Sequence, residues 1–315
     1  MDSLCIPISW IPFSLTAENE NGDNEEVEIA TKKCSYLVTF YEKLLDDISE
    51  RSSVPPTNIS DSIENIMINY RSIRRGTLPK DIDYNDVSNC LGYLYRYAAC
   101  HTALVWVTLT TVFNSSLSSV LTPKFSGNGL DVMFLGGGPG NDFVGFLNAL
   151  YGKHKNLFYI YVTVVDRKTG WNNIFLKTIE KLKQGDYGPA SRIFEDVCVI
   201  PTFIDFDLKH SVEQNDTLKK KLQSASIVFL VKFLSHVSDI YKLLVLQNIV
   251  KFMKAGAILI CIDCPDHSSV FSSVKELKSI YHAGNKQFSF NFRKERFGHT
   301  VINKCKASVS IFSRN

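Results

Sequence analysis

The residues best suited to chemistry lie in one stretch, Asp131-Val132-Met133-Phe134-Leu135-Gly136-Gly137-Gly138-Pro139-Gly140-Asn141-Asp142. An apolar run enters glycines and leaves as the start of a helix. Glycine at the carboxyl end of a strand lets a ligand lie against bare backbone, where side chains would block it. The helix behind the turn offers free N–H groups. A second strand, residues 158–165, ends in Asp166, 26 residues beyond Gly140, which leaves room for one helix and one strand. A carboxylate there can accept both hydroxyls of a ribose. A third strand, 197–206, runs into Asp205-Phe206-Asp207. Alternation puts both acids on one face, and Asp207, nearer the loop, is the first choice. A fourth strand, 227–231, leads to Lys232 and His236, candidates for substrate contact. His236 can act as a base if its pKa lies near neutrality.

Two ligand classes use such a turn. The dinucleotide pattern G-x-G-x-x-G, read from Gly136, requires Gly or Ala where Asn141 stands. Read from Gly138, it requires Gly where Phe143 stands. A nicotinamide- or flavin-dependent oxidoreductase is therefore the lesser reading. The spacing present, Gly136-x-Gly138-x-Gly140 with Gly137 and Pro139 between, resembles the first motif of class I S-adenosylmethionine-dependent methyltransferases. That resemblance covers the chain from residue 130 to its end. It implies S-adenosylmethionine as cofactor, methyl transfer to an unidentified acceptor, Asp166 as ribose ligand and Arg167 beside the adenine. It implies an acid after the third strand for the adenine amino group, Asp207 before Asp205. Members commonly carry an acid two residues before the first glycine, where this chain has Phe134. Asp142 is the candidate to face the methionine ammonium instead. Members acting on exocyclic amines often carry an Asn or Asp, two prolines and an aromatic after the fourth strand, and this chain does not. A catalytically silent S-adenosylmethionine-binding scaffold, or a ribosome- or RNA-associated methyltransferase-like factor, is the alternative.

The elements that must position these residues form an alternating series. Short β-branched runs at 132–135, 158–165, 197–206, 227–231 and 257–262 alternate with predicted helices at 142–151, 171–183, 217–223, 237–253 and 269–281. Alternation implies a parallel α/β sheet with helices on both faces, and the order of elements resembles the Rossmann-like, doubly wound, seven-stranded, mostly parallel methyltransferase fold. Runs 287–292 and 307–312 have no helix between them and read as an antiparallel edge pair. Residues 1–126 read as a helical N-terminal extension or cap, and 127–315 as the cofactor-binding domain. Within the extension, 18–28 holds six carboxylates and no base, a solvated or mobile segment. Residues 35–48 carry apolar side chains at helical spacing. Val54-Pro55-Pro56 breaks that helix, and Asp61 with Glu64 suggests a cap for a second helix through 70. Residues 71–80 are basic and read as a linker or turn, with Arg71, Arg74, Arg75 and Lys80 able to touch phosphate. Residues 83–113 read as one or two helices. Tyr93, Tyr95, Tyr97, His101 and Trp106 are either core or the lining of an acceptor pocket, with His101 a catalytic candidate.

Composition sets the outer bounds. The chain has 315 residues, 45% of them hydrophobic, which excludes wholesale disorder. The net charge of +3 neither marks nor excludes a nucleic-acid partner, so the acceptor is left open among small molecules, proteins and RNA. Eight scattered cysteines suit a reducing compartment. Residues 1–17 lack a basic start, so the reading is an intracellular, cytoplasmic protein with no membrane span. Cys261 and Cys264 form a C-x-x-C without a second close pair, so no metal site is expected, although Cys198 or His267 lie available in principle. Methyltransferase-like factors of the mitochondrial small ribosomal subunit also place a helical segment before this fold, and some carry a cysteine cluster for a metal centre, for which this chain lacks the second close pair.

Overall fold

The computed structural model describes residues 23–74 and 77–315, with side chains from 34 to 73 and from 77 onward. The expectations for residues 1–22, and for the side chains of Arg74 and Arg75, lie outside the described residues. The first helix, α1 (Asp23–Ser52), buries Leu37, Phe40, Tyr41, Leu44, Leu45 and Ile48. Those positions repeat every three to four residues, which places them on one stripe. Residues 23–28 are thus helix, where the acidic run predicts a loop. The helix ends at Ser53, whose φ of 52° and following Pro55 stop propagation. The second helix, α2 (Pro56–Arg74), starts five residues before the expected Asp61 cap. Pro56 explains this, since its fixed φ suits a first helical position.

After a short irregular strap, residues 77–86, come α3 (Val87–Tyr93), a π-helical turn (Leu94–Ala98), α4 (Ala99–Phe113) and the short α5 (Ser118–Leu121). The Asp86 carboxylate caps α3 by accepting the Ser88 N–H at 2.8 Å. The alternating series follows as β1 (Gly129–Leu135), α6 (Asn141–Leu150), β2 (Tyr159–Asp166), α7 (Gly170–Gln184), α8 (Pro189–Asp196), β3 (Cys198–Asp205), α9 (Asp216–Ser224), β4 (Ile227–Val231), α10 (Asp239–Phe252) and β5 (Ile258–Asp263). Helix α8 has no counterpart in the sequence reading. The chain closes with α11 (Ser268–Phe271), β6 (Leu277–Ser289), the two-residue strands β7 (Glu295–Arg296) and β8 (His299–Thr300), and β9 (Lys304–Arg314).

Seven strands form one sheet in the order β3-β2-β1-β4-β5-β9-β6. The first five are parallel, and β9 runs antiparallel to both β5 and β6. The Rossmann-like, mostly parallel fold with an antiparallel C-terminal edge is therefore observed. One expectation is corrected: 269–281 is not a helix. Only Ser268–Phe271 is helical, and the strand begins at Leu277. Register shifts at Ser279/Tyr281 and Ala283/Lys286 break the period-two pattern of β6, so its sequence never alternates as a strand should.

Helices α1, α4, α6 and α7 pack on one sheet face, and α9 and α10 on the other. The first core runs without interruption from Leu37 and Leu44 through Leu104 to Phe134 and Phe229. Phe134 is fully buried and stacks on Phe229, with ring centroids 4.8 Å apart. Helix α4 crosses α6 at Gly145, where a Cβ would lie 2.6 Å from the Thr102 carbonyl oxygen. Among the described residues no single helix is long and apolar enough to cross a membrane.

Candidate functional site

In a doubly wound sheet the crevice opens at the carboxyl ends of the strands, where the order reverses. Here the reversal lies between β1 and β4, and a cavity of about 480 Å³ opens there. Cavities that hold small molecules fall in the range of about 300–1,000 Å³.

The turn after β1 forms one wall. Gly136, Gly137 and Gly138 line the cavity, while Gly140 sits outside it at the start of α6. The physical reason for the glycines differs from the sequence expectation. Gly136 has φ 70°, and a Cβ there would run into the Phe233 ring. Gly140 has φ 83°, and a Cβ there would lie 2.6 Å from Phe175. The turn thus receives the protein's own aromatic rings, with Trp171 over Gly138, and its backbone still faces the open cavity.

Besides Asp81 of the outer wall, three carboxyls reach the cleft. Asp166 ends β2, and its two oxygens accept the N–H groups of Gly138 at 3.2 Å and Lys168 at 3.1 Å. Burial nevertheless pushes its carboxyl up to about 6, against those hydrogen bonds and the attraction of Arg167. Asp142, at the start of α6, is 5% exposed and accepts the Asn141 side-chain amide at 2.7 Å. Burial holds it well above the usual carboxylate range, and no ammonium or guanidinium pairs with it among the described residues. Asp207 lines the cavity, accepts the Lys209 N–H at 3.0 Å and faces the Lys209 ammonium at 3.6 Å. Asp205, paired with Asp166 across the β2–β3 register, is exposed and outside the cleft. Arg167 lines the cavity with its guanidinium held by Asp81 at 2.5 Å, and Lys168 reaches the other Asp81 oxygen at 2.9 Å.

That acid belongs to the strap, which with Tyr70 forms the outer wall; Leu78, Lys80, Asp81 and Tyr84 all line the cavity. The Asn85 side chain fastens the strap by accepting from Thr169 Oγ1 and the Gly170 N–H. Tyr84 lies on Trp171, with centroids 4.6 Å apart. The sequence reading took part of this segment as a linker, and it missed Tyr70, Trp171 and Phe233. The glycine, proline and basic residues of 71–80 signal an exposed turn, and nothing local says what that turn covers.

The inner wall comes from α3 and α4. The π turn keeps Tyr93, Tyr97 and His101 on one side, with Tyr93 and Tyr97 stacked at 5.7 Å. Tyr93 and His101 line the cleft and share a hydrogen bond of 3.0 Å between Oη and Nδ1. Burial depresses His101 to about 3, so it is neutral. Tyr97 stacks behind Tyr93, and Tyr95 and Trp106 belong to the core. At the end of β4, Lys232 adopts φ 51°, a left-handed conformation that costs a non-glycine residue about 1–2 kcal/mol. Its N–H donates to the Ile262 carbonyl at 2.8 Å, and its ammonium donates to the Lys306 carbonyl. His236 stands edge-on to Tyr70 at 5.1 Å. Desolvation lowers its pKa, the nearby Asp263 carboxylate partly opposing this. The same Asp263 accepts the Ser235 N–H at 3.0 Å and so holds the turn that carries His236. Cys261 is buried in β5, and no cluster of three metal-ligating side chains occurs among the described residues.

No family model matches the sequence, and no curated protein matches it. Solved structures resemble it at low identity. Magnesium protoporphyrin IX methyltransferase from Synechocystis PCC 6803 with bound SAM is 12% identical, over 70% of this chain and 84% of that one, with a TM-score of 0.39. TrmN from Thermus thermophilus is 9% identical, over 70% and 53%, with a TM-score of 0.39. The N-methyltransferase NodS from Bradyrhizobium japonicum WM9 in complex with S-adenosyl-L-homocysteine is 11% identical, over 67% and 98%, with a TM-score of 0.36. Similarity this distant leaves the assignment to the chain's own strand order. By that order, β3-β2-β1-β4-β5 parallel with a reversed β9 between β5 and β6, the chain has the seven-stranded Rossmann-like fold of the class I methyltransferases.

Proposed function

We propose that the cleft binds S-adenosylmethionine and serves methyl transfer to an acceptor. The observation that carries this reading is the position of Asp166: a half-buried carboxyl at the end of β2, beside the glycine turn, on the wall of the crevice at the sheet's switch point. The residues present suit the cofactor. Asp142 is a buried acid without a cation, and an amino-acid ammonium at the turn would supply one. The Asp166 carboxyl, mostly ionised at neutral pH, would accept two ribose hydroxyls, and those bonds would lower its pKa. Asp207 and the backbone beside it would meet the adenine amino group.

When bound, the cofactor supplies a methyl group on a positively charged sulfonium. The chain's part is to bind, orient and keep water away. Trp171 and Phe233 pack against the glycine turn. The strap shields the cleft from solvent, clipped down by Asp81. Holding two reactants in line supplies much of the acceleration in such a transfer.

A second reading, binding without transfer, is favoured by two observations: Phe134 fills the core where the methyltransferase resemblance implies an acid, and aromatic rings crowd the turn. Calorimetry with S-adenosylhomocysteine tests the primary reading. The unaltered protein should bind, and Asp166→Ala should bind at least about tenfold more weakly. No heat and no competition from either nucleoside would remove it. Binding with no label passed from methyl-labelled cofactor to any cell fraction would support the second reading.

A further inference from the structure

We infer that the acceptor is a small carboxylic acid whose anionic oxygens are held by the Lys232 ammonium. This rests on the methyl-transfer reading and names the acceptor class for the same cleft. Lys232 is a cation in the cleft wall that no carboxylate neutralises among the described residues; the Lys306 carbonyl alone holds its ammonium. The other cations differ. Arg167 and Lys168 share Asp81, and Lys209 faces Asp207. Of the cations lining the cavity, only Lys80, at the exposed strap, also has no ion pair among the described residues. The Lys232 backbone also adopts a conformation that suits glycine, at the point where β4 delivers it into the crevice.

The neighbours of Lys232 are poor proton acceptors. His101 is bonded to Tyr93 and depressed to about 3. Desolvation also holds His236 below its ordinary pKa. A hydroxyl or ammonium acceptor would have to lose a proton to one of them. A carboxylate is already ionised at neutral pH. Its oxygen bonds the methyl carbon as the carbon–sulfur bond breaks and the electron pair stays on sulfur. The products are a neutral ester and a neutral thioether, and no proton moves. The body of the acid is apolar or aromatic. Tyr70, Tyr84 and Phe233 line the cavity, and so do Leu78 and Tyr241.

The test is ligand-observed NMR on the full chain saturated with S-adenosylhomocysteine. Benzoate, benzyl alcohol and benzylamine share one body and differ in charge. Benzoate should bind, and the other two roughly tenfold more weakly. Lys232→Gly accepts the backbone conformation and removes the ammonium; it should weaken benzoate by roughly tenfold or more, and Lys232→Arg should restore most of that. Both variants should bind S-adenosylhomocysteine as the unaltered protein does, with unchanged or raised melting temperatures. Equal binding of the neutral or cationic probe, no benzoate binding, or benzoate binding that survives Lys232→Gly would each overturn the inference. Loss of S-adenosylhomocysteine binding in a folded Lys232→Gly would overturn it differently, by giving the ammonium to the cofactor's own carboxylate. Failure of the unaltered protein to bind S-adenosylhomocysteine, seen before any probe is added, would strike the methyl-transfer reading and take this inference with it.

Discussion

Asp166→Asn should remove a loss of stability that sets in as pH rises, and should weaken binding. The folded carboxyl titrates near 6 against an ordinary 3.8, because burial outweighs two backbone hydrogen bonds and the pull of Arg167. That difference corresponds to roughly 3 kcal/mol. The folded pKa is the higher one, so the folded state holds an extra proton between the two values. The associated stability is complete below 3.8 and is lost as pH rises through about 6. Asparagine cannot ionise and escapes that loss. It also cannot accept both the Gly138 and Lys168 N–H groups, a cost of about 1–3 kcal/mol that does not vary with pH. The pH dependence therefore carries the test. Urea unfolding of both proteins should show the variant gaining roughly 3 kcal/mol on the unaltered chain between about pH 4 and pH 7.5. Parallel stability profiles would refute the reasoning. In calorimetry at neutral pH the variant should lose about ten- to a hundredfold in S-adenosylhomocysteine affinity, as expected for a lost charge-assisted acceptor. A group kept at a cost to folding and needed for binding is what a functional site requires.

Asp142 should link binding to pH. An ammonium beside it favours the ionised form, so S-adenosylhomocysteine affinity should rise with pH and binding should release a proton, measured by calorimetry in buffers of different ionisation heat; Asp142→Asn should lose that slope, and equal slopes would count against the role. Gly145→Ala pushes a methyl against the Thr102 carbonyl at 2.6 Å and Val105 Cβ at 2.8 Å, and should cost about 1–3 kcal/mol in urea unfolding. Gly284→Ala, which meets nothing within 4 Å, should change stability by no more than about 0.5 kcal/mol. Asp81→Asn releases the strap from Arg167 and Lys168. These groups are partly exposed, so stability should move by less than about 1 kcal/mol, while stopped-flow fluorescence should show faster ligand release that no longer depends on salt.

The sequence by itself determined the alternating strands and helices, the glycine turn and the acid at the end of β2. Each is a local pattern: period two against period 3.6, glycine at positive φ, a charge ending an apolar run. Where the local pattern breaks, the reading broke with it. The bulges of β6 hid a strand, and Pro56 moved a helix start away from Asp61. Tertiary structure alone decided that Asp207 faces the cleft and Asp205 does not, because the chain leaves the sheet after Asp205 and alternation stops applying. It also decided that the strap covers the cleft, that Phe233 and Trp171 fill the space over the glycines, and that no acid among the described residues pairs with Lys232. Those contacts join residues dozens to more than a hundred positions apart, and only the folded chain brings them within reach of one another.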